Sequence, residues 1–136
     1  MVAIAAFSAL IEHGIPDMFP KLRVGFIETA ASWIPFLYAD LVAKKLRRPY
    51  LPIDFTEHLF RRNRIYVACQ TNDDLPYILK YGTEDSLMIG TDYSHADQSA
   101  EIGALDVIEE RAAKGEISPT VARKMLDDNP RRFYGL

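Results

Sequence analysis

One cysteine and three histidines are all that this chain of 136 residues offers to thiol or imidazole chemistry. With Cys69 as the single thiol no internal disulfide can form, and the composition suits a reducing compartment. Cys69 closes the apolar run IYVAC (65–69), so it is expected as a packed core thiol and not as a nucleophile. The histidines, His13, His58 and His95, include no two at metal-ligand spacing. Excess positive charge is also lacking. The formal net charge is −3, and the densest basic stretch, KKLRR (44–48), fits the negative C-terminal end of a helix, which speaks against nucleic acid as a partner. A membrane-length apolar run is missing as well: the opening MVAIAAFSALIEHG has no basic leader and soon reaches Glu12 and His13. The chain is expected in the cytoplasm, with neither nucleic acid nor membrane as partner.

What is present is an apolar half (49% of residues) arranged in an alternating order. A helix over 2–13, closed by Gly14, precedes a strand over 22–27 that ends at Glu28. Ser32 stands where it would cap a helix over 33–47, and Asp54 with Glu57 resembles a capping box for a short helix through Arg62. The second strand is read at 64–70, followed by a helix opened by Asn72-Asp73-Asp74 and ended by Gly82. The third strand spans 86–90, and helices over about 99–114 and 118–128 and a last turn near Tyr134 complete the chain. Strands separated by helices imply a parallel sheet with right-handed crossovers, within a single α/β domain over 1–136. An eight-stranded (β/α) barrel takes about 250 residues, so three strand–helix units read as the last portion of one. An open three-stranded α/β sandwich is the other reading.

Parallel strands point the same way, so their carboxyl ends share a rim. Glu28 would stand there beside Gln70, Thr71 and Asp92. The decapeptide MIGTDYSHAD (88–97) delivers Asp92 and His95 within one turn of a strand end. Turn chemistry alone explains an Asp in that place. An active site explains it too, because working residues of parallel sheets lie just past the carboxyl ends of strands. Carboxylates on such a rim bind a cation or act as general acid and base.

Four stretches in order, FPKLRVGFIETAASWIPF (19–36), FRRN (60–63), DSLMIGTDYSHAD (85–97) and NPRRFYGL (129–136), resemble the C-terminal half of the amidohydrolase-2 family. These are metal-dependent TIM-barrel hydrolases and decarboxylases related to aminocarboxymuconate semialdehyde decarboxylase. The resemblance implies that Asp92, following the last barrel strand, is a metal ligand that helps activate water or substrate. It places Glu28 where many members carry a histidine at the end of the sixth strand, as a substitute acid/base or as a support for the loop bearing Trp33. His95, Trp33 and Tyr93 become candidates for contacting substrate. The family's H-x-H pair and its further histidine after the fifth strand have no counterpart here. The resemblance therefore implies a divalent metal, zinc foremost, in a complete enzyme, and weak or no metal binding by this chain alone.

Two functions follow. One is the C-terminal portion of a metal-dependent enzyme that hydrolyses or non-oxidatively decarboxylates a small carboxylated or cyclic substrate. The other is a non-catalytic half-barrel that self-associates as a binding or structural module. In both, residues such as Val24, Phe26, Val67, Met88 and Ile89 are expected to face a barrel interior. The chain is then expected to dimerise, or to join a complementary N-terminal half, rather than persist as a free monomer.

Overall fold

The most apolar strand lies in the middle of the sheet. In the computed structural model, which describes residues 2–56, 58–95 and 100–136, β2 (Ile65–Cys69) is flanked by β1 (Val24–Phe26) and β3 (Leu87–Ile89), both parallel to it. Phe26 pairs with Val67, and Val67 in turn with Leu87, which fixes the register across all three strands. The strands are shorter than the apolar runs suggested. Arg64, at φ 55°, turns the chain into β2, and its Nε donates to the Leu22 carbonyl, so residues 22–23 are held from outside the ladder.

Strand alternation sorts the two faces. Phe26, Ile65, Val67, Cys69 and Leu87 are buried in one apolar cluster with Phe7 and Ile11 of α1 (Val2–Glu12), Ile34, Leu37 and Leu41 of α3 (Ile34–Arg47), and Phe60 of α4 (Leu59–Arg62). Gly25, Tyr66, Ala68 and Met88 occupy the opposite face. Of the five residues expected on a barrel interior, only Met88 lies there; Val24, Phe26, Val67 and Ile89 share the register of the helix-covered face. The interior face is not bare either. Phe133 of α8 (Asn129–Tyr134) lies 5.4 Å from the Tyr66 ring, and a Cβ on Gly25 would come within 2.6 Å of it. Glycine at 25 is thus required by a close approach rather than by a turn.

The remaining elements are α2 (Ile15–Met18), α5 (Leu75–Ile78), α6 (Ala104–Ala113) and α7 (Pro119–Arg123). A tight turn over Leu79–Tyr81 extends α5 to Gly82, whose φ of 67° suits a helix-ending glycine. A wider π-type turn, Lys124–Asp128, joins α7 to α8. Asp74 and Ser118 cap α5 and α7 by accepting from Tyr77 N and Val121 N. Two sequence-read helices are corrected. Asp54 accepts from Thr56 N and Oγ1, a local turn that competes with helix, so α4 begins only at Leu59; Glu57 lies outside the described residues. The helix expected from 99 begins at Ala104, and Ser99 also lies outside them. Among the described residues no helix is long and apolar enough to cross a membrane.

At the amino ends of the strands the buried carboxylate of Asp85 collects three cations: Lys124 Nζ at 2.9 Å, Arg61 Nη1 at 3.3 Å and Arg132 Nη1 at 3.5 Å. Asn129 Nδ2 donates to the Glu84 and Leu87 carbonyls beside it, tying α8 to β3. Burial works to raise the Asp85 carboxyl, but the Lys124 ammonium and the two guanidiniums outweigh it and hold the group below the ordinary 3.8. A carboxyl depressed in the folded state stabilises the fold above its unfolded pKa and loses that contribution as pH falls through the folded value. Acid unfolding followed by circular dichroism is expected to begin below about pH 4 for this group. In Lys124→Met the midpoint should move to higher pH; an unmoved midpoint would show that Asp85 does not govern acid stability.

Candidate active site

Both ends of the sheet are polar, and the carboxyl ends bring together two acids and an imidazole. Just beyond Phe26 the chain turns sharply: Glu28 has φ 57° and Ala30 φ 52°. Beyond β3, Asp92 (φ 48°) and Ser94 (φ 72°) do the same. Left-handed backbone costs a non-glycine residue roughly 1 kcal/mol or more, and such strain concentrates at functional sites. Here each turn has a visible consequence. His95 N donates to the Asp92 carbonyl at 3.1 Å, closing a turn with positive φ at its third residue, Ser94. That turn folds the imidazole back over the strand end, where Nδ1 lies 2.8 Å from Asp92 Oδ2. The turn at Asp92–His95 thus itself sets the imidazole against the Asp92 carboxylate.

Glu28, Asp92 and His95 come together. Each offers a ligand atom, and the three atoms lie within 4.8 Å of one another. They line a recess of about 320 Å³ whose other walls are Ile27, Ala68, Cys69, Gln70 and Gly90. The Asp92 side chain is 24% exposed and that of His95 53%, so the cluster is open to solutes. Cys69 is no nucleophile here: burial, then the nearby Asp73 carboxylate, push its thiol up to about 12, and Sγ donates to the Met88 carbonyl at 3.1 Å.

The other sequence-read candidates are distributed differently. Trp33 packs 5.4 Å from Phe26 and 6.1 Å from Phe7, with Nε1 donating to the Ala30 carbonyl at 2.9 Å; it supports the Glu28 loop and does not line the recess. Tyr93 is 77% exposed on the turn and is not a wall residue either. Thr71 is on the same rim but in an adjoining hollow, where its hydroxyl donates to Glu101. His13 is exposed after α1, and His58 lies beside Gly82, across the fold from the rim. Sequence reading missed Asp73, taken as one of three residues opening a helix. Asp74 does the capping, and a second acid directly behind a strand end was the available signal.

No protein-family model and no curated protein matches the chain. A search of solved structures does match it to the crystal structure of an amidohydrolase from Mycobacterium avium subsp. paratuberculosis K-10, with a TM-score of 0.68 and 23% sequence identity. The match covers 90% of this chain and 30% of that one. At that identity the likeness establishes fold: the chain is α/β, with three parallel strands and flanking helices, arranged like part of an amidohydrolase.

Proposed function

We propose that the chain supplies the carboxyl-end rim of a metal-dependent amidohydrolase-like active site, of the amidohydrolase-2 type, acting on a small carboxylated or cyclic substrate. The observation that carries the proposal is the convergence of Glu28, Asp92 and His95 within 4.8 Å. Two carboxylates and an imidazole form a donor set suited to zinc or another borderline divalent ion, and catalytic zinc commonly takes three protein ligands. Among the described residues, those lining the recess include two acids and an imidazole beside uncharged groups. Where the sequence offered one confident ligand, Asp92, the structure offers three candidates.

Asp92 and Glu28 would hold the ion, with His95 as third ligand or as partner to Asp92. A divalent ion so held would lower the pKa of water and polarise a carbonyl. The chain's own groups then handle protons. For hydrolysis, a carboxylate takes the proton that the attacking water loses as its oxygen bonds to carbon, and the leaving group departs with a proton from the protonated acid or imidazole. For decarboxylation, the carbon–carbon bond breaks, its electron pair stays on the substrate carbon, and the same acid returns a proton there as carbon dioxide leaves. Asp92 suits either role because its turn fixes it against His95.

The outer strands support a second reading, a self-associating binding module. β1 and β3 are the outer strands among the described residues, and each leaves one side without a strand partner. Ile27, at the end of β1, is 50% exposed. Such edges favour joining a second copy or a complementary chain.

Isothermal titration with zinc tests the first reading. Stoichiometric binding is expected, and Asp92→Asn should weaken it by about tenfold or more; equal affinity in the variant would overturn the assignment. Sedimentation equilibrium tests the second. A dimer or larger species at micromolar concentration is expected, and a monodisperse monomer with a cooperative thermal transition would refute association.

A further inference from the structure

Glu28 and Asp92 reach the recess from loops at opposite edges of the sheet, after β1 and β3. The fixing group comes from the central strand. Asp73, 3% exposed, lies just past β2, and its carboxylate Oδ2 accepts from Gln70 N and from Ala31 N, both at 2.8 Å. Oδ1 accepts from Ser32 Oγ at 2.5 Å. One buried carboxylate thus takes hydrogen bonds from its own loop and from the Glu28 loop, 41 and 42 residues away in sequence. Arg111 of α6 holds the Asp73 loop from the far side, its Nη1 donating to the Thr71 and Asp73 carbonyls at 2.9 Å each. On the other side of Ala31, the Ala30 carbonyl accepts from Trp33 Nε1. The left-handed pair Glu28 and Ala30 is therefore held between a strand and a clamp.

We propose that Asp73 is the positioning residue of the site: it sets the Glu28 loop against the β2 loop and so fixes the separation of Glu28 from Asp92 and His95. This rests on the metal-site reading given above, but the clamp can be tested apart from it. Charge-assisted bonds to a buried carboxylate are roughly twice as strong as neutral ones, and their loss leaves the Ala31 and Gln70 amides without their acceptor. The Glu28 loop would then relax out of its left-handed turns. Ser32, read from sequence as a helix cap, is on this account part of the clamp.

Trp33 is the chain's only tryptophan and stands in the loop concerned, so its emission reports the clamp directly. Asp73→Ala and Asp73→Asn are compared with Asn129→Ala, which removes two hydrogen bonds, one of them buried, near the amino ends of the strands and serves as a control for general destabilisation. Asp73→Ala is expected to red-shift Trp33 emission, to increase its quenching by acrylamide, and to weaken cobalt(II) binding, read from its visible absorbance, by about tenfold. Asp73→Asn, which keeps an acceptor oxygen, should restore part of both. Asn129→Ala should move neither, whatever its melting temperature. Unchanged emission in Asp73→Ala would overturn the proposal, as would equal changes in Asn129→Ala. If the unsubstituted chain binds no cobalt, the metal reading fails, and the emission and quenching of Trp33 still decide whether Asp73 clamps the loop.

Discussion

Everything at the recess depends on β2 pairing in parallel with both neighbours. An antiparallel neighbour would send its carboxyl end, and the acid carried there, to the other side of the molecule, about a strand length away. Parallel pairing on both sides, with Phe26, Val67 and Leu87 in register, brings Glu28 and Asp92 to one rim although 64 positions separate them in the chain. The pairing is in turn secured by burial. Ile65, Val67 and Leu87 are fully buried against α1, α3 and α4, and each such side chain contributes roughly 1.5–3 kcal/mol when removed from water.

The two ends of the sheet differ in what surrounds their acids. At the amino ends, Asp85 is surrounded by Lys124, Arg61 and Arg132, and Asn129 ties α8 to β3. The basic pairs Arg61-Arg62 and Arg131-Arg132 are committed to carboxylates of the fold: Arg62 to Asp17 and Asp54, Arg131 to Asp127. At the carboxyl ends the acids are answered differently. Asp73 is satisfied by backbone amides and a hydroxyl, and Asp92 bonds an imidazole. The strained backbone at Glu28, Ala30, Asp92 and Ser94 belongs to this end.

How much of this was legible in the chain follows from the range of each interaction. Strand order and direction were readable because the alternation of apolar runs with helical stretches is local and repeated. Helix ends at Gly82 and Ser118 were readable because capping is settled within four residues. The Asp54 helix failed for the same reason in reverse: a two-residue turn to Thr56 took the carboxylate that the cap required. Which strand face meets helices was misread, because apolar residues occupy both faces of a parallel strand and only packing by α1, α3 and Phe133 tells them apart. Glu28 and Asp92 could be placed on one rim from topology. His95 could be placed near that rim from its spacing to Asp92, but its bond to the Asp92 carboxylate needed the positive φ of Ser94, and Asp73 needed contacts spanning 42 residues, neither of which leaves a local trace.

The proposed role of the rim formed by Glu28, Asp92 and His95 is to hold a divalent cation. The most direct test is a crystal structure of the chain grown with zinc, with diffraction recorded on both sides of the zinc absorption edge. An anomalous peak is expected in the recess, about 2.0–2.2 Å from a carboxylate oxygen of Asp92 and within bonding distance of Glu28 or His95. A recess without such a peak, or zinc held only by surface acids such as Asp17 and Asp54, would contradict it.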